Sequence, residues 1–277
     1  MPDIEAEIAG QNTSGALLAH SLAGLRTLDI DPDDASADDL APADEFHTGG
    51  RRATDDLLAQ LRIDPVARAL DIGCGIGGPA RHVAARTGAH VTGIDLTPEF
   101  IETARELSAR VGLADLTDFH VGSALEAPFA DESFDLAIML HVGMNIADKT
   151  RLMTETKRML RPGGTFAIFD VMREEGVDAP LTYPLPWSRI AETSFVAPPS
   201  VYERAARAAG FAIVATRARR EFALDFFAQA AAAAKTRGPA PLGLHLVMGA
   251  DAGRKVGNYV ADLKAGLVAP VELILRA

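Results

Sequence analysis

From residue 66 onward, short apolar runs alternate with longer segments of helical period. The runs predict strands over 67–72, 90–95, 118–122, 134–140, 164–170, 211–217 and 271–276. Between them, apolar positions spaced by three and four predict helices near 77–87, 98–111, 148–160 and 199–209. The punctuation agrees: Thr97 offers an N-cap, Pro98 sits just inside the second helix, and Gly112 lies just past its end. Arg161-Pro-Gly-Gly164 stops the third helix, because proline cannot continue it and glycine permits the reversal. Alternation of this kind is the pattern of an α/β protein with a doubly wound sheet, helices covering both faces.

Other stretches break the rhythm. Residues 1–30 carry Ile4, Ile8, Leu17, Leu18, Leu22, Leu25 and Leu28 at helical spacing, which predicts one or two short lead-in helices. Residues 31–45, rich in Asp, Ala and Pro, read as an exposed link, and so divide a lead-in over 1–45 from a main domain over 46–277. Residues 172–198 hold Tyr183-Pro-Leu-Pro-Trp187 and are too proline-rich for a core element. Residues 222–235 form an alanine- and phenylalanine-rich helix that suits a roof or a dimer surface. Segments around 172–198 and 222–262 are therefore lid candidates, since insertions after a strand's carboxyl end are placed to cover a ligand.

The composition narrows the class of partner. The 277 residues include 27 basic and 38 acidic side chains, a net charge of −11 that repels nucleic-acid backbones and favours a small-molecule substrate. The single cysteine, Cys74, has no internal disulfide partner and reads as a space-filling thiol. No stretch approaches the roughly 18 apolar residues of a membrane span, and the N-terminus lacks a secretion pattern. A cytoplasmic protein is expected, with no metal site.

Candidate chemistry centres on Ala-Leu-Asp-Ile-Gly-Cys-Gly-Ile-Gly-Gly at 69–78, a strand that ends in an acidic residue and a glycine-dense turn. Bare backbone lets a bulky ligand approach closely. Asp95 ends the next predicted strand, where a carboxylate can take both hydroxyls of a ribose. Gly73, Gly75 and Gly78 also satisfy the dinucleotide pattern, with Asp95 following, so a nicotinamide oxidoreductase is a rival reading. Asp71 beside the turn counts against a pyrophosphate and suits a cationic ligand. A non-catalytic nucleoside-binding module is a third possibility.

With Gly-Ile-Asp-Leu at 93–96, Gly-Ser-Ala-Leu-Glu-Ala-Pro-Phe at 122–129, Ser-Phe-Asp-Leu at 133–136 and Arg-Met-Leu-Arg-Pro-Gly-Gly at 158–164, the chain resembles class I S-adenosylmethionine-dependent methyltransferases over residues 46–217. It is most similar to the small-molecule branch of glycine/sarcosine/dimethylglycine and phosphoethanolamine N-methyltransferases. The resemblance implies a Rossmann-like seven-stranded sheet, order 3-2-1-4-5-7-6, with the last strand antiparallel. It implies that Gly73, Gly75 and Gly77 line the donor, that Asp71 reaches its ammonium, and that Asp95 holds its ribose while Leu96 packs on adenine. Ser123 and Ala124 stand where relatives carry an acidic residue toward the adenine amine; Gly49 and Leu140 complete the implied donor set. His141 and Asn145 fall beside the transferable methyl, and His141 is a candidate proton acceptor. Asp148 and Lys149 read as the solvated start of the next helix. His47 is placed near the donor or the substrate, and Tyr183 and Trp187 as walls of the acceptor site. The expected reaction is methyl transfer to a small molecule, first to an amine nitrogen, with oxygen, sulfur and carbon as alternatives.

Overall fold

The computed structural model describes residues 5, 10, 15–238, 242–243 and 245–277. Ile4 and Ile8 lie outside these residues. Seven strands form one sheet: β1 Arg68–Ile72, β2 His90–Asp95, β3 Thr117–Val121, β4 Phe134–Leu140, β5 Leu160–Arg173, β6 Ala212–Ala218 and β7 Val268–Arg276. Their order is β3-β2-β1-β4-β5-β7-β6, and β7 runs antiparallel to both β5 and β6. The fold class, strand order and antiparallel last strand implied by the resemblance are all present.

Side-chain alternation along the strands builds a core on each face. On β4, Leu136, Ile138 and Leu140 enter one apolar cluster while Ala137 and Met139 enter the other. Phe166 and Ile168 of β5 pack with the second set, and Ala167 and Phe169 with the first. Strands buried on both faces explain why these runs are apolar throughout rather than alternating with polar residues.

The helices that matter for the site are α1 Leu17–Thr27, α2 Ala37–Asp44, α3 Arg51–Leu58, α4 Gly78–Thr87, α5 Pro98–Arg110, α6 Lys149–Met159, α7 Pro199–Ala208, α8 Arg220–Arg237, α9 His245–Met248 and α10 Ala252–Lys264. Residues 31–45 correct the reading of an exposed link. They contain α2, opened by a reciprocal capping box between Ser36 and Asp39, with Leu40, Ala43 and Asp44 buried. Asp44 is held by the Arg81 guanidinium at 2.8 Å, with both side chains sealed from solvent. That pair fixes the lead-in against α4, the helix that follows the glycine turn. Lys149 is a second correction: it is buried, with its ammonium donating to the carbonyls of Ile146 and Phe195. Asp148 does start the helix, accepting the Arg151 N–H at 2.8 Å.

Candidate active site

A cavity of about 380 Å³ opens where the loops after β1, β2, β3 and β4 meet, a size within the range of roughly 300–1,000 Å³ typical of ligand pockets. It lies at the carboxyl edge of a sheet whose strand order reverses between β1 and β4, the position at which open α/β sheets bind ligands.

The β1 loop forms one wall. Gly73 and Gly75 have φ of +69° and +53°, and both line the cavity. A methyl group added to Gly73 would stand 2.3 Å from Val142, and one added to Gly75 would stand 3.3 Å from Phe46. The loop is tied to β2 because Gly73 and Cys74 donate to the Ile94 carbonyl at 2.8 and 3.1 Å. Asp95 locks it further, since Oδ2 accepts the Gly75 N–H at 3.0 Å while Oδ1 accepts the Thr97 N–H at 2.9 Å. Burial raises the Asp95 carboxyl, and the backbone donors oppose that shift. Each carboxylate oxygen keeps lone pairs for a ligand.

Asp71 lies behind this loop rather than on the cavity wall. It is fully buried with Oδ2 unpartnered, and burial, followed by the charges of Glu45 and Asp95, pushes its carboxyl up to about 8. Gly77 caps α4 in the left-handed region, and a Cβ there would meet Arg81 and Phe119, so its role is in packing the turn. Gly49 likewise packs beneath Phe222 and Ala53. Leu96, Ala124 and Leu140 line the cavity. Ser123 does not line it directly; its hydroxyl donates to Glu5 Oε1 at 2.6 Å, and Glu5 is a wall residue. A carboxylate is thus present at this corner, but it comes from the lead-in.

The β4 loop forms the facing wall. His141 has φ +55°, unusual for a residue with a side chain and worth about 1–3 kcal/mol of strain. Its backbone N–H is held by the Phe169 carbonyl at 2.7 Å, and its ring packs 5.0 Å from Phe169 and 5.9 Å from His47. His141 Nε2 and Asn145 Oδ1 are buried with no partner, and both residues line the cavity. Burial, then the neighbouring His47, depresses the His141 imidazole well below its usual range. It is therefore neutral near pH 7 and a weak base.

His47 is buried and depressed to about 4, chiefly by burial. Its Nε2 lies 3.1 Å from the Gly50 carbonyl, which can only accept, so Nε2 carries the proton and Nδ1 is the ring's acceptor. Behind the β4 loop, Asp170 accepts from Tyr202 Oη at 2.6 Å and is raised to about 6 by burial. Lys149 is lowered to about 8, also by burial. A Cβ at Gly143 would meet Asp170 Oδ2 at 2.3 Å, so glycine is needed for this turn to sit on the buried network.

Trp187, Phe227 and Tyr259 complete the roof, contributed by the proline-rich segment, α8 and α10. Tyr183 packs against the same apolar cluster but does not line the cavity. Motif reading missed Glu5, Thr48, Phe227 and Tyr259. The helical spacing of Val256, Tyr259 and Leu263 was the available signal for α10.

Residues 70–168 match the family model described as a methyltransferase domain. The methyltransferase GfsG of Streptomyces halstedii is 37% identical over 141 residues, 51% of this chain and 49% of that protein. The chain spans about half the length of the curated relatives it matches, or less. Among solved structures, a putative sarcosine dimethylglycine methyltransferase from Galdieria sulphuraria superposes with a TM-score of 0.68 at 22% identity, covering 81% of this chain and 85% of that one. The [4+2]-cyclase SpnF superposes with a TM-score of 0.63 at 26% identity, covering 81% and 80% of the two chains. These names differ in reaction, so the shared fold does not specify the chemistry performed on it.

Proposed function

On the premise that this chain carries a methyltransferase domain of the class I, S-adenosylmethionine-dependent family, we propose that it transfers a methyl group from S-adenosylmethionine to a small molecule. One observation carries the reading: Gly73 and Gly75, Asp95, and His141 and Asn145, each of the last two with an unpartnered buried polar atom, line a single cavity. The residues fit the donor. Asp95 has lone pairs free for a diol, the glycine turn leaves room for the methionyl portion, and Leu96 and Phe100 offer apolar surface to adenine. The unpaired Asp71 oxygen lies behind the turn, where a bound ammonium would draw the raised carboxyl back toward its charged form.

When bound, S-adenosylmethionine supplies an electrophilic methyl on a sulfonium. The protein's task is to hold the acceptor in line and dry. Positioning of this kind can provide about 7–11 kcal/mol. The strained His141 backbone and the Asn145 amide place two polar atoms where an acceptor's X–H would be oriented. The roof residues and Phe46-His47-Thr48 exclude water, which strengthens those contacts.

Asp170 is sealed beneath the loop and accepts from Tyr202, whereas Asp148 lines the cavity and caps α6 through one oxygen, Oδ1. A nitrogen or an oxygen acceptor fits this wall.

Thermal denaturation with added ligand tests the donor. S-Adenosylhomocysteine should raise the midpoint and NAD should not; the reverse would establish the oxidoreductase reading. Methyl turnover on a panel of acceptors then separates an enzyme from a module that only binds the nucleoside.

A further inference from the structure

The acceptor end of the cavity has walls of one chemical character. Trp187 and Phe227 meet Tyr259 edge to face, with ring centroids 5.3 and 5.6 Å apart, and Met144 belongs to the same apolar cluster. The polar tips of these rings are already engaged. Trp187 Nε1 donates to Ser194 Oγ at 2.9 Å, and the Tyr259 and Thr48 hydroxyls pair at 3.1 Å. What the rings offer a ligand is therefore hydrocarbon and π surface. Among the described residues the charged groups on the cavity wall are all acidic, Glu5 and Asp95 at the donor end and Asp148, which caps α6 through Oδ1; no lysine or arginine lines it. The unpartnered buried polar atoms on the facing wall are His141 Nε2 and Asn145 Oδ1.

We infer that the acceptor is a largely hydrocarbon molecule without an anionic group that presents one polar X–H group to His141 and Asn145. The carboxylate of a zwitterionic amino acid or the phosphate of a phosphorylated amine would meet no cationic side chain on the described wall, at a desolvation cost that nothing there offsets. An apolar body instead gains from every wall it covers, and one hydroxyl or N–H donates to one of the two atoms that are otherwise orphaned. The inference rests on the methyltransferase reading for the identity of the site.

Trp187 is the protein's only tryptophan, so its emission reports on this chamber without labelling. Protein saturated with S-adenosylhomocysteine is titrated with farnesol, with menthol, and separately with sarcosine and phosphoethanolamine. A saturable change with at least one neutral alcohol, and none with the two polar amines, is expected. Phe227→Asp and Val256→Asp, both residues lining the cavity, should each weaken the alcohol response at least about tenfold while calorimetric binding of S-adenosylhomocysteine persists. Having two variants at separate positions guards against one that fails to fold. Saturation by either polar amine would overturn the inference. Silence toward both alcohols in donor-loaded protein would overturn it too. Loss of S-adenosylhomocysteine binding in the wild type would instead remove the reading on which it rests.

Discussion

Replacing Asp95 by alanine isolates the contact on which donor recognition depends. In the structure both oxygens already accept a backbone N–H, from Gly75 at 3.0 Å and Thr97 at 2.9 Å, so the carboxylate is fixed with its remaining lone pairs available to a vicinal diol. Hydrogen bonds to a charged group contribute about 1.5–3 kcal/mol each, and solvation of the freed hydroxyls returns part of that. A net loss of about 2–4 kcal/mol, roughly 30- to 700-fold in affinity, is expected. The same substitution orphans two loop donors, which costs folding stability about 1–3 kcal/mol. Donor affinity and stability must therefore be measured separately. Calorimetry with S-adenosylhomocysteine gives the first and a circular dichroism melt the second. A 2′-deoxy analogue of the ligand closes a double-mutant cycle. The wild type should discriminate against the analogue at least about tenfold, and the variant should not discriminate at all. A folded variant that binds within twofold of wild type, or that still prefers the ribose ligand, would refute the assignment.

Three further outcomes are expected. His141→Ala should lower turnover by about 10²-fold, the low end for a proton-handling group because its imidazole is a weak base, while donor affinity stays near wild type; unchanged turnover would make the ring purely structural. Arg81→Leu should destabilise the fold by about 3–5 kcal/mol by leaving the Asp44 carboxylate buried without its partner, read as a lowered denaturant midpoint. The buried His47 imidazole is neutral, with its folded value near 4 against about 6.5 unfolded, so the stability it contributes is complete above about 6.5 and falls as pH drops toward 4, by up to about 3 kcal/mol. Asp71 and Asp170, raised to about 8 and about 6, act in the opposite sense and lose stability as pH rises. The informative quantity is therefore the difference between wild type and His47→Gln: the wild type should lose stability more steeply in acid, and parallel curves would contradict the tautomer and burial argument.

The sheet was legible because each of its signals is local. Short apolar runs, Pro98 inside a helix, and glycines at positive φ in the β1 loop are all written within a few residues of the feature they specify. The misread parts depend on distant partners. Asp44 looks like one more acid in an Asp-rich link until Arg81, 37 positions away, is seen to bury it. Lys149 looks solvated because its partners are the carbonyls of Ile146 and Phe195, the latter on a separate segment. Ser123 announces a missing carboxylate, but nothing in its neighbourhood announces that Glu5 supplies one from 118 residues away. The roof follows the same rule: Trp187 is visible in the sequence as a lone aromatic, whereas its meeting with Tyr259 is a tertiary event.

A structure of the protein crystallised with S-adenosylhomocysteine tests the donor site most directly. Density is expected with the ribose hydroxyls on the Asp95 carboxylate, the methionyl chain along Gly73–Gly75, and the sulfur facing the space between His141 and Trp187. Ligand bound elsewhere, or a sulfur turned away from that space, would contradict the assignment.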